Sequence, residues 1–132
     1  MQIKKRAILV VEDEEAIREV LRRALQGEGY HVICAADGKE ALALIQENRP
    51  EMILLDLMLP EMDGTEVCRR VREDPVLGTI PIMMITGKDT FGDLEQGLAL
   101  GADDYVVKPF DIREIKLRVA ALFRRHEREL GA

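Results

Sequence analysis

The sequence predicts a single α/β domain built on a parallel sheet with helices on both faces. Short runs rich in β-branched residues alternate with longer amphipathic stretches, five times between Ala7 and the C-terminus. The short runs are mostly apolar without polar alternation, as strands covered on both faces are. A length of 132 residues, 47% of them apolar, suits one continuous core and leaves no room for a second domain.

The expected strands are Ala7 to Val11, His31 to Ala35, Met52 to Leu57, Ile80 to Thr86 and Asp104 to Lys108. The first helix is expected over Glu14 to Gln26, with Ile17, Val20, Leu21, Ala24 and Leu25 on one stripe and Arg18, Arg22 and Arg23 on the other. Gly27 and Gly29 stop it. Asp37 or Gly38 opens the second helix, whose apolar face is Ala41, Leu42, Leu44 and Ile45, and Pro50 closes the connection to the third strand. The third runs from about Gly64 to Arg72, and a loop from Glu73 to Gly78 follows it. Thr90 or Asp93 opens the fourth and Gly101 ends it. Asp111 caps the fifth, which buries Ile115, Val119 and Leu122 and finishes in Arg124 and Arg125, where cations suit the helix dipole. Right-handed crossovers leave two common doubly wound strand orders, and both put functional residues at the C-terminal ends of the strands.

Charge and composition narrow the partners. With 25 acidic against 19 basic side chains the net charge is −6, which argues against binding nucleic acid or anionic lipid and for proteins or a cation. The basic start, Lys4-Lys5-Arg6, precedes an apolar run of only Ala7 to Val11, so neither a signal peptide nor a membrane span is expected. Cys34 and Cys68 have no companion at metal-ligand spacing and are expected to be buried, reduced thiols of a cytoplasmic protein.

The strand ends carry the chemistry. The first strand runs into Glu12-Asp13-Glu14-Glu15, and the third carries Asp56 in an otherwise apolar segment. Acids suit a helix N-terminus, which accounts for Glu14 and Glu15 but not for Asp56, costly to bury without a partner. Two carboxylates ~4 Å apart repel by about 4 kcal/mol at an effective dielectric near 20, so three in one cleft need protons or a cation. An oxygen-only, incomplete cage suits Mg²⁺, which keeps several waters and can share a phosphate oxygen. The fourth strand ends in Thr86-Gly87, a hydroxyl beside a residue that lets a ligand approach the backbone. The fifth ends in Lys108-Pro109, and a lysine at an edge holding three acids is drawn toward Asp56 and can neutralise a transferred phosphoryl group.

These residues fall into four motifs: Val10 to Glu14, Leu54 to Gly64, Ile85 to Gly87 and Gly101 to Phe110. In order and spacing the chain resembles the receiver domain of bacterial two-component response regulators, from Ala7 to about Arg125, with residues 126–132 as a helical extension or the start of a linker. The resemblance implies a flavodoxin-like fold with strand order 2-1-3-4-5 and five helices. It implies a regulatory phospho-acceptor that catalyses only its own phosphorylation and dephosphorylation. By position Asp56 takes the phosphoryl group from a sensor histidine kinase or phosphotransfer protein. Asp13, Asp56 and the carbonyl of Met58 hold Mg²⁺, with Glu12 reaching it through water. Thr86, flanked by Gly87, and Lys108, fixed by Pro109, bind phosphoryl oxygens, and Tyr105 turns inward when Thr86 moves. The output surface is the fourth helix, fifth strand and fifth helix. Its sequence resembles the subclass whose full-length members carry a winged-helix DNA-binding domain and dimerise on phosphorylation, with Asp103, Asp104 and Arg118 as salt-bridge residues and Leu94, Leu98 and Phe123 as the apolar patch. No DNA-reading segment is present in these residues.

Three other classes share features of this sequence. A dinucleotide-binding domain needs a Gly-rich turn where this chain has four acids, which would repel a pyrophosphate. A haloacid-dehalogenase-type phosphatase is suggested by Asp63-Gly64-Thr65, but its nucleophile should stand where Glu61 follows Pro60. A degenerate receiver acting as a phosphorylation-independent interaction module is the third, and the intact acid, Thr and Lys set speaks against it.

Overall fold

The computed structural model describes residues 5–87 and 101–131. Five parallel strands form one sheet in the order β2-β1-β3-β4-β5. They are β1 (Ala7–Val11), β2 (His31–Ala35), β3 (Met52–Asp56), β4 (Ile82–Thr86) and β5 (Asp104–Val107). The connecting helices are α1 (Glu15–Gly27), α2 (Gly38–Asn48) and α3 (Gly64–Glu73), and α4 (Ile112–Gly131) closes the chain. Four helices are therefore seen among the described residues against the five expected. The expected helix from Thr90 or Asp93, with Leu94 and Leu98, lies outside them. Helix α4 runs unbroken through Arg125 to Gly131, so residues 126–131 extend it, the first of the two alternatives expected for this segment.

The β-branched, apolar strand sequences sort by pleat into two slabs. Leu9, Val11, Ile53, Leu55, Ile82 and Met84 face α2 and α3, where they meet Ala41, Ile45, Val67, Cys68 and Val71. Ile8, Val10, Leu54, Met83, Ile85 and Val106 face the other way, onto Leu21 and Leu25 of α1 and Ile115, Val119, Leu122 and Phe123 of α4. Every strand of the central three is buried along nearly its whole length, which is why none of them alternates.

Local chemistry sets the element ends. Asp37 caps α2 by accepting the Glu40 N–H at 2.8 Å, and Asp63 caps α3 through the Glu66 N–H at 3.0 Å. Asp111 accepts the Arg113 N–H at 2.8 Å at the start of α4. Gly29 takes a φ of 94°, the left-handed conformation that closes α1, and donates to the Gln26 carbonyl. Strand β4 begins two residues later than expected, because Ile80 still closes a turn onto the Leu77 carbonyl and Pro81 has no N–H to give a ladder.

Several expected positions differ. Val20 is half exposed, on the flank of the stripe that Leu21 and Leu25 centre. Cys68 is fully buried but Cys34 only half buried, on an edge strand; burial pushes both thiols above their usual range. Phe123, expected in a surface patch, belongs to the core, with its ring 5.4 Å from Tyr30 and the Arg6 guanidinium 4.7 Å from its centroid. Asp103, expected on an output surface, is partly exposed, but its carboxylate is engaged within the chain. Its carboxylate accepts the Ile82 N–H at 2.8 Å and pairs with Arg72 at 2.7 Å. Arg72 also donates to the carbonyls of Gly78, Ile80 and Gly101, so one guanidinium ties α3 to the entries of β4 and β5.

Candidate functional site

The register decides which side chains meet. Val11 stands beside Leu55, so the next residues along, Glu12 and Asp56, emerge side by side at the C-terminal edge of the sheet. Asp56 pairs with Ile85, which places Thr86 one step further on β4, and Thr86 pairs with Val107, the residue before Lys108. Four strand ends thus bring two acids, a hydroxyl and an amine to one place, and Asp13 follows Glu12 at the rim.

Glu12 is 1% and Asp56 3% exposed, and such burial needs partners for both charges. Lys108 supplies them. Its Nζ donates to Glu12 Oε1 at 2.6 Å and to Asp56 Oδ2 at 2.8 Å, so one ammonium bridges β1, β3 and β5. Burial pulls the Lys108 pKa down, but the hydrogen bonds and charges of Asp56 and Glu12 outweigh it and hold the amine above its ordinary value. The remaining carboxylate oxygens are used locally: Asp56 Oδ1 accepts the Met58 N–H at 2.9 Å and Glu12 Oε2 the Glu14 N–H at 3.0 Å. Thr86 is fully buried, and its carbonyl accepts the Lys108 N–H at 2.6 Å, fixing the strand end from which the lysine departs.

Glycine brings α3 against the acceptor strand. A Cβ on Gly64 would lie 2.4 Å from the Asp56 carbonyl oxygen and 2.9 Å from the Leu57 Cα. Only a residue without one lets the Gly64 N–H reach the Leu57 carbonyl at 2.9 Å. Gly87 is different: among the described residues a Cβ there would meet only the Lys108 Cδ, at 4.0 Å. Beyond Lys108 the cis peptide to Pro109 leads into Phe110, and with Ile17, Gly87 and the lysine stem these line an open cavity of about 370 Å³.

Donor atoms of Glu12, Asp13 and Asp56 all lie within 4.8 Å of one another, with Asp13 exposed on the solvent side. Three carboxylates against one ammonium leave two negative charges, which one divalent cation would balance. Opposite oxygens around an octahedral Mg²⁺ are about 4.2 Å apart, a spacing of the same scale as the 4.8 Å limit that encloses these donors, and an all-oxygen set suits a hard ion. The residues present therefore fit such an ion.

The expected output residues gather only in part. Arg118 pairs with Asp104 at 2.8 Å and with Glu114 at 2.9 Å within the chain, and Arg125 donates to the Asp103 carbonyl. Tyr105, half buried, packs against the slab under α2 and α3. Two features went unread in the sequence: the hold of Glu12 on Lys108, and the Arg18 guanidinium, which reaches back to the carbonyls of Glu12 and Asp13. Glu61, where a phosphatase nucleophile would stand, is exposed in a turn after Pro60 and not at a strand end.

Residues 8–120 match the response regulator receiver domain family, and the protein belongs to that family. It is a receiver domain of the two-component response regulators, a regulatory family whose members interact with histidine kinases and phosphotransfer proteins. It is similar to a protein described as a response regulator from Chloroflexus aurantiacus J-10-fl, with 39% identity and a TM-score of 0.86 over 90% of this chain and 98% of that one. The chemotaxis response regulator CheY4 of Vibrio cholerae shares 34% identity at a TM-score of 0.85, over 90% and 99% of the two chains. A CheY-like receiver domain protein of Methanospirillum hungatei JF-1 shares 30% at 0.90, over 96% and 99%. Among the described residues no helix is long and apolar enough to cross a membrane.

Proposed function

We propose that Asp56 is the phospho-acceptor of this receiver and that the charge it gains is relayed through Thr86, Lys108 and Tyr105. The observation that carries the reading is the Lys108 ammonium, held 2.6 Å from Glu12 and 2.8 Å from Asp56 at the buried strand ends. An ionised Asp56 attacks phosphorus through a carboxylate oxygen. A P–O bond forms as the P–N bond of a donor phosphohistidine breaks, and the imidazole nitrogen takes back the electron pair and then a proton. With acetyl phosphate the broken bond is P–O and acetate leaves.

Phosphoryl transfer asks mainly for positioning and charge neutralisation. Asp13, Asp56 and the Met58 carbonyl would hold Mg²⁺, with Glu12 acting through water, and the ion when bound neutralises phosphoryl oxygens. Lys108 supplies a second positive charge and Thr86 a hydroxyl donor. Charge-assisted hydrogen bonds are worth about 1.5–3 kcal/mol each, and moving an equilibrium from 1:99 to 99:1 takes about 5.5 kcal/mol. Two such contacts supply much of that shift, which Tyr105 on β5 passes outward. The domain itself catalyses only its own phosphorylation and dephosphorylation, in the cytoplasm, on phosphoryl groups from a sensor histidine kinase or phosphotransfer protein.

The surface that reads the change includes β5 and α4, and a homodimer promoted by phosphorylation is the output. Arg118 and Asp104 are already satisfied within the chain, so exchanging them across a dimer gains little, and apolar contact must supply the association energy.

Acetyl phosphate with Mg²⁺ should add one phosphate to the intact mass, and Asp56→Asn should abolish the gain. Labelling that persists in the Asn variant would place the acceptor elsewhere. A folded wild type that gains no mass would favour the phosphorylation-independent module. Lys108→Ala should uncouple phosphorylation from the change in light scattering.

A further inference from the structure

The turn between β1 and α1 carries Asp13, and its geometry is held from two sides. On the amide side the Glu12 carboxylate accepts the Glu14 N–H. On the carbonyl side Arg18, in the first turn of α1, donates through Nη1 to the Glu12 oxygen at 2.9 Å and, at longer range, to the Asp13 oxygen at 3.4 Å. Glu14 at the N-cap makes no side-chain cap hydrogen bond, so the turn is held by these contacts and not by a cap.

The Glu12 and Asp13 carbonyls belong to the peptide planes before and after Asp13. Fixing both planes fixes the φ and ψ of Asp13 and the direction in which its side chain leaves. The Asp13 carboxylate is exposed and forms no hydrogen bond or ion pair with any described residue. Its aim toward Asp56 therefore depends on the backbone, which Arg18 holds on the carbonyl side and Glu12 on the amide side. We infer that Arg18 is a positioning residue that presents the Asp13 carboxylate to the divalent cation. The inference rests on the reading of Asp13 as a ligand given above.

A guanidinium beside an acidic cluster has a second effect of opposite sign, because its charge repels a cation. Charge alone predicts that removing Arg18 tightens cation binding; positioning predicts that it weakens it. Groups that orient ligands typically change metal affinity by about 10–100-fold when lost.

Titration calorimetry with MgCl₂ alone separates the two. R18Q should bind Mg²⁺ about tenfold more weakly than wild type. R22Q, which removes the same charge one turn later from a side chain engaged with Glu19 and Gln26, should stay within about twofold of wild type. Equal or tighter binding by R18Q overturns the assignment and leaves Arg18 a repelling charge. If R18Q does not fold by circular dichroism, R18K takes its place, since it keeps the charge on a shorter stem without the planar fork. A loss of about threefold or more is then expected, and equality with wild type overturns the assignment. Wild type that takes up no Mg²⁺ overturns the cation reading and this inference together. Uptake by wild type with R18Q unaffected overturns the inference alone.

Discussion

Replacing Lys108 by Met removes the ammonium and keeps most of the stem volume, leaving the carboxylates of Glu12 and Asp56 facing each other with 1% and 3% exposure. Their donor atoms lie within 4.8 Å. At the outer limit of that range and an effective dielectric near 20, two unit charges repel by about 3.5 kcal/mol, and by more when closer. Breaking a buried pair by deleting one partner costs about 3–5 kcal/mol in general, so two routes agree. For a chain of this size about 3 kcal/mol corresponds to a fall of about 10 °C in Tm. The assay is thermal and urea unfolding in chelator and in Mg²⁺. In chelator the variant should lose the full amount with an unchanged urea slope. Added Mg²⁺ should recover more stability in the variant than in wild type, because the cation then faces two carboxylates with no competing amine. A chelated variant melting within about 2 °C of wild type, or a variant that Mg²⁺ leaves unmoved, would refute the bridging role of Lys108.

Gly64→Ala drives a Cβ into the Asp56 carbonyl, so it should cost about 2–3 kcal/mol in urea unfolding and slow phosphorylation by acetyl phosphate. Gly87→Ala meets, among the described residues, only the lysine stem and should leave stability unchanged or raise it by about 0.5 kcal/mol. Arg72→Ala strips partners from three carbonyls and from the Asp103 carboxylate and should cost about 3 kcal/mol by the same unfolding assay, with Arg72→Lys recovering only part. Glu19, Glu66 and Asp111 are held at about 2, below their ordinary values, by hydrogen bonds from Arg22, Arg69 and Arg113. Their stabilisation is full above the unfolded carboxyl range and is lost as pH falls from about 4.5 toward 2, so Tm should hold from pH 7 to 5 and drop below that. These groups are exposed, and about 0.5 M salt should flatten the drop.

The fold was largely legible because its signals are local. Strands β1 and β2 have the bounds their β-branched runs suggest, and Asp37, Asp63 and Asp111 start helices where an acid precedes an amphipathic stretch. The acids, Thr86 and Lys108 were legible as a group because a parallel sheet collects strand ends on one edge. What failed was long-range. Asp103 looked like a surface charge because its partner, Arg72, lies 31 residues earlier on another element. Arg18 looked like part of a solvated face because nothing in the sequence says that its guanidinium turns back toward β1. Phe123 was misplaced despite an available signal. Ile115, Val119, Leu122 and Phe123 follow the spacing of one apolar helix stripe, and the resemblance to a dimerising subclass set Phe123 apart from it.

Strand β5 is four residues long and lies at the outer margin of the sheet, with β4 as its ladder neighbour. Lys108 gives it a second mooring, to the middle strands. A margin moored by charge responds when the charge at the mooring changes, even though no backbone hydrogen bond has been touched. The molecule can thus convert an event at its centre into slack or tension at its rim without disturbing either apolar slab.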